Sequence, residues 1–264
     1  MQEINFQDII VGIIEEYFQI YEHEPVIPTY IICEDMCKSY RELRPKLEEK
    51  EPEKFKTLNS YNGITVPPYS VDERFTVLLN RQIIIENMHA RNANWVGTIA
   101  HETTHVIDFS DYAKLIDATD YEDILQMSKH GMFNLWTEFN ARAKGYYFVR
   151  KYTFDNMFDT TQISDIVNIE LPVQDELLYK NYHATTDGFQ QAYYVSHYLG
   201  RLYSLQQIFP TYFTDEFINE IQLFKHNKWM LDWFFFLKNH TSLNKAYQNF
   251  GEMKEILKQN FCGL

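Results

Sequence analysis

The chain has 264 residues, 45% of them hydrophobic and 16% aromatic, which is enough apolar surface for a core that needs no disulfides. Its three cysteines, Cys33, Cys37 and Cys262, form no CxxC pair and no bridged framework, so reduced thiols in a cytoplasmic setting are expected. A formal charge of −13 argues against a nucleic-acid binder, whose affinity rests on cations set against phosphate, and no uninterrupted apolar run approaches a membrane span.

The first segment, Ile4 to Ile20, has helical periodicity. Asp8 and Glu15-Glu16 interrupt its apolar stretch, so it reads as an amphipathic helix rather than a signal peptide. Val26 to Cys33 reads as a strand entered through proline, and Met36 to Glu49 as a second helix. Lys46 to Lys56, rich in Glu and Lys and broken by Pro52, reads as a solvated helix end and loop. Gly63 to Val66 is a short strand closed by Pro67-Pro68, and Arg74 to Asn80 a longer one.

The sequence His101-Glu102-Thr103-Thr104-His105 follows, inside a helix of four or five turns whose N-cap is Asn92 or Asn94. Residues four apart share a helix face, so the rings of His101 and His105 converge on one cation while Glu102 points beside it. A carboxylate there accepts a proton from an activated water and returns it to a leaving group. Trp95, Ile99, Ala100, Val106 and Ile107 make the helix half-buried, and buried ionisable groups need pairing or a metal. The donor types point to zinc, whose catalytic sites take three protein ligands and keep one position open.

Two residues compete as third ligand. Glu138 lies in a helical segment 33 residues beyond His105 (138 − 105), among the small residues Ala141, Ala143 and Gly145. Asp111 loosely fits the extended form HExxHxxGxxH/D, but Asp108 stands where that form has glycine. The acidic stretch Ser110 to Lys129 lacks a calcium-loop pattern and reads as a solvated connection or short helix, with His130 an ordinary polar histidine. Beyond residue 150 the pattern is helical, punctuated by Pro172 and Pro210, and Trp229 to Leu237 is apolar enough to belong in a core.

Residues 74–150 resemble the zincin metallopeptidases, and within them the gluzincins, in which HExxH is followed by a glutamate on a second helix. The 33-residue interval is longer than in thermolysin-like enzymes and closer to that of clostridial neurotoxin light chains. The run Glu138 to Ala141 is similar to the third-ligand helix of phage-type intracellular metallopeptidases. The resemblance implies an α+β fold: a zincin-like half over residues 1–150, with a small mixed sheet and the active-site helices, and a helical subdomain over 151–264 that completes the cleft. It implies one Zn²⁺ held by His101, His105 and Glu138, with Glu102 as catalytic base and a protein or peptide as substrate.

It also implies an oxyanion donor in the second half. His197 and Tyr198, in Tyr193 to Tyr198 near Arg201, are the candidates, although aromatic packing accounts for the same residues. Residues 74–79 fit the strand at the cleft edge, where an extended peptide can pair, and equally an interior strand. Where thermolysin-like enzymes place an aspartate four residues after the glutamate ligand, this chain has Arg142. Asp108 or a backbone carbonyl is then the acceptor for a zinc histidine. Arg142 fits an ion pair with Glu138 or Glu102, a contact to a substrate carbonyl, or an interhelix pair. A catalytically idle fold that binds a partner is the alternative reading.

Overall fold

Secondary structure in the first half follows the turn and cap chemistry closely. The computed structural model describes residues 6–50, 52–153 and 160–261. Helix α1 (Phe6–Tyr21) buries Ile10, Ile13, Ile14 and Tyr17, and strand β1 (Thr29–Cys33) begins directly after Pro28. Helix α2 (Met36–Leu43) starts on the Asp35 side chain, which accepts from the Lys38 amide. It stops well short of the expected Glu49. Arg44 precedes Pro45, whose ring disfavours helical backbone before it, and Arg44 takes φ −136°, ψ 67°.

Two short helices follow, α3 (Leu47–Lys50) and α4 (Pro52–Thr57). Pro52 opens α4, where a missing N–H is tolerated, and Phe55 is buried, so this stretch is not the solvated loop expected.

Strands β2 (Gly63–Val66) and β3 (Thr76–Asn80) complete a mixed sheet of order β1-β3-β2. β1 runs parallel to β3, with Thr29 opposite Thr76; β2 is antiparallel to it, with Gly63 opposite Leu79. β3 is therefore the central strand and not the cleft edge assigned to residues 74–79. Its consecutive buried residues Val77, Leu78 and Leu79 are covered on both faces, as a central strand requires. The edge strand beside the helix that carries His101 to His105 is β2. One sheet face packs on a core of Cys33, Met36, Tyr40, Phe55, Leu58, Val66 and Leu78.

Helix α5 (Arg81–His89), capped by Asn80, leads into α6 (Asn94–Leu115), which carries the HExxH sequence. The N-cap is Ala93, without a side-chain cap, and so neither Asn92 nor Asn94 as expected, although the Asn92 side chain accepts from the Asn94 amide at 2.7 Å. At 22 residues α6 runs past the expected length and ends before Asp117, which takes φ 52°. The following helix α7 (Tyr121–Ile124) buries Tyr121 and Ile124, so the acidic segment is anchored rather than wholly solvated.

The chain divides into two compact units, Met1–Tyr121 and Glu122–Leu264. The division expected at residue 150 falls inside α8 (Met127–Thr153), a helix that belongs with the second unit. There α8, kinked at His130, packs against α11, which follows α9 (Gln162–Asp165), a π turn at Ile166–Glu170 and α10 (Leu171–His183). Helix α11 (Gly188–Ile208) approaches α8 closely at Gly200, where a Cβ would lie 2.6 Å from the Phe139 carbonyl oxygen and 2.9 Å from Arg142 Cβ.

Five shorter helices close the unit: α12 (Asp215–Glu220), α13 (Gln222–His226), α14 (Lys228–Asn239), α15 (Leu243–Gln248) and α16 (Phe250–Lys258). As expected, α14 is core, burying Met230, Trp233, Phe234, Phe236 and Leu237. Trp136 Nε1 donates to the His240 carbonyl at 2.7 Å, fixing α8 to the end of α14.

The fold is thus α+β with a mainly helical C-terminal half. Among the described residues no helix is long and apolar enough to cross a membrane. Cys33 and Cys37 are free thiols; Cys262 and the first two residues of the expected N-terminal helix lie outside the described residues.

Candidate metal centre

Helix α6 is locked in rotation by hydroxyls. Thr103 Oγ1 donates to the Ile99 carbonyl at 2.7 Å and Thr104 Oγ1 to the Ala100 carbonyl at 2.8 Å, which commits both hydroxyl protons. Each oxygen then accepts from a tyrosine: Tyr30 Oη to Thr103 at 2.7 Å and Tyr17 Oη to Thr104 at 2.9 Å. Burial raises both phenols well above their ordinary range, so they remain donors. The two variable positions of HExxH thereby tie α6 to α1 and β1. On the β2 side, Thr65 Oγ1 reaches both the carboxylate Oε2 of Glu102 at 2.8 Å and its carbonyl at 3.1 Å.

With the helix so fixed, His101 and His105 turn their rings together. Their Nε2 atoms lie 3.1 Å apart and the rings meet edge to face at 86°. Two nitrogens bound to one tetrahedral zinc at roughly 2.05 Å stand about 3.3 Å apart, so the spacing fits a shared cation. His101, His105 and Glu138 each offer a ligand atom, and these lie within 4.8 Å of one another. The residues can hold a metal ion. Asp111, the competing third ligand, is instead paired with His23 Nε2 at 2.9 Å and with Lys114 at 3.4 Å.

Within the second unit, Glu138 is itself held. His197 Nε2 lies in close polar contact with Glu138 Oε1, and Arg142 Nη2 donates to His197 Nδ1 at 2.9 Å. An imidazole that accepts at Nδ1 is neutral, and burial, reinforced by the Arg142 charge, brings its pKa down to about 4 against the opposing pull of Glu138. His197 thus joins the expected site, but beside the Glu138 carboxylate. Arg142 bonds the histidine across the α8–α11 contact, an interhelix partner as expected, though a neutral one.

Tyr198 is not brought to the cluster. One residue round α11, it packs on Phe224, and its hydroxyl faces the Asp175 carboxyl. Burial, with that carboxyl beside it, raises the phenol far above its usual range. His130 bonds Asp123 at 3.2 Å, an ordinary polar contact as expected.

Thr65, Tyr17 and Tyr30 are site residues that sequence reasoning missed. The signal for two of them was present, since a Thr-Thr pair on the buried face of a helix requires hydroxyl partners. Comparison with protein-family profiles, with curated proteins and with solved structures returned no match.

Proposed function

We propose that the chain is a zinc-dependent peptidase that hydrolyses peptide bonds in proteins or peptides. The observation that carries this reading is the convergence of the His101 and His105 Nε2 atoms, 3.1 Å apart, with the Glu138 carboxylate in reach of both. His101, His105 and Glu138 would hold the ion, which when bound supplies a Lewis acid and lowers the pKa of water to roughly 7. Glu102 accepts the proton of the attacking water and returns it to the departing amine. Thr65 holds Glu102 Oε2, so the carboxylate keeps one orientation through both transfers. An extended substrate pairs along β2, the edge strand that carries Thr65.

Two imidazoles and a carboxylate also suit Fe(II) in oxygenases. Glu102 favours hydrolysis, because its place in the motif and its single orientation serve a proton shuttle.

Metal analysis and digestion of a mixed peptide library test the reading together. Zinc at one equivalent, with cleavage that disappears on chelation and in Glu102→Gln but zinc retained in that variant, is the expected result. Stoichiometric zinc in Glu138→Ala, or a library left intact by the zinc-loaded protein, rejects it.

A further inference from the structure

The column of residues on α8 that begins with Glu138 continues at one-turn intervals through Arg142, Tyr146 and Arg150, and faces His197 and Arg201 on α11. The close approach at Gly200 brings the two columns together. At the far end the charges are neutralised: Arg150 bonds the Glu170 carboxylate, and the Tyr146 hydroxyl links the two.

In the middle they are not. Arg201 is half-buried with the Arg142 guanidinium as its neighbour, and among the described residues no carboxylate or carbonyl accepts from it. Arg142 spends Nη2 on His197, while its buried Nε has no partner. Burial and the second guanidinium bring Arg201 down to about 10. The chain has 37 acidic residues against 24 basic ones, so a carboxylate to neutralise this pair was readily available. Two desolvated like charges with donors unspent are costly for a fold to keep. They form a ready fork for a planar anion.

We propose that Arg142 and Arg201 form a carboxylate-binding subsite next to Glu138, and that the substrate presents a carboxylate to it, from its C-terminus or from an Asp or Glu side chain. The proposal rests on the peptidase reading for the reaction, but the site itself does not. Carboxylate is favoured over phosphate because peptides commonly carry one, at the C-terminus or on Asp and Glu, and because Glu138 adjoins the pair. One helical turn separates Glu138 from Arg142, about 6 Å along the axis, the reach of roughly two extended residues. The scissile bond therefore lies one or two residues from the bound carboxylate.

The test uses N-acetylated peptides in matched pairs: free C-terminus against amide, and amidated peptides with Asp against Asn at successive positions. With zinc-loaded protein, kcat/KM for the acid member exceeds that for its neutral partner by about 10- to 100-fold, the worth of a hydrogen bond to a charged group. Arg201→Gln brings the ratio below about twofold, and the pair that carries the preference identifies the source of the carboxylate. A wild-type ratio near one, or a ratio that survives Arg201→Gln, overturns the subsite.

Should no peptide be cleaved, calorimetric titration of the same pairs into metal-free protein decides separately. Tighter binding of the acid, lost in Arg201→Gln, upholds the subsite while the peptidase reading falls; equal binding of acid and amide overturns it. Tighter binding of inorganic phosphate than of the acid peptide overturns the assignment to carboxylate. Because Arg201 is unneutralised, Arg201→Gln without ligand melts at or above the wild-type temperature. A lower melting temperature makes the arginine structural and refutes the proposal.

Discussion

Replacing His197 with alanine removes the imidazole in close polar contact with Glu138, and leaves Arg142 Nη2 without its acceptor. The three proposed ligands stay in place, so the expected effect is a loosened glutamate. Outer partners of metal ligands are typically worth 10- to 100-fold in affinity, which is about 1.4–2.7 kcal/mol. With zinc well above its dissociation constant, the same free energy is lost from the holo protein, and Tm falls by about 3–10 °C. Competition against a chromophoric chelator measures the affinity, and calorimetry with and without zinc measures the stability.

His197→Gln places an amide near the position of Nε2 and recovers part of the affinity, whereas His197→Asn, one carbon shorter, does not. The reasoning fails if His197→Ala holds zinc as tightly as wild type. It fails equally if that variant binds no metal at all, because His197 would then be a ligand.

Other variants probe the remaining supports. Thr65→Val removes the hydroxyl from Glu102 and lowers kcat by about tenfold with zinc content unchanged, while Thr65→Ser restores the rate; a valine variant of full activity removes Thr65 from the mechanism. Tyr17→Phe deprives Thr104 of its buried donor and costs about 1–2 kcal/mol of stability, read by urea unfolding; an unchanged midpoint means the hydroxyl does not anchor α6. Burial raises the Asp175 carboxyl above its ordinary range, so ionising it costs the fold. Its contribution is therefore destabilising above the folded pKa and vanishes below the unfolded value of roughly 3.9. Asp175→Asn raises Tm at pH 7 and has no effect below about pH 3.5; a constant difference across that window contradicts the assignment.

What the sequence disclosed was set by local spacing. His101 and His105 were legible because four residues make one helical turn wherever the helix lies, and Glu138 because its segment repeats with helical period. The end of α2 was also written locally, in Pro45, but the apolar periodicity of Met36 to Glu49 masked it. The order of the strands was not, since pairing depends on which segments meet across the chain. The run Val77-Leu78-Leu79 nevertheless pointed to a strand covered on both faces, and so to a central place for β3. The roles of Arg142, His197 and Tyr198 depend on a contact between two helices more than fifty residues apart, for which no single-segment pattern exists.

The separation of His197 from Tyr198 shows how strictly helical phase sorts chemistry. On α11 the two are neighbours in sequence and about 100° apart in rotation, so one meets Glu138 and the other meets Asp175 and Phe224. The same sorting operates on α6, where His101 and His105 hold one face and Thr103 and Thr104 the opposite one, with Glu102 between. A rotation of α6 by a single residue would break the Tyr17, Tyr30 and Thr65 hydrogen bonds together and turn both imidazoles out of their present direction. Three polar anchors on two other strands and a helix therefore fix the setting of the histidines before any ion arrives, which is the preorganisation that a metal site needs to bind tightly and to hold a proton acceptor in register.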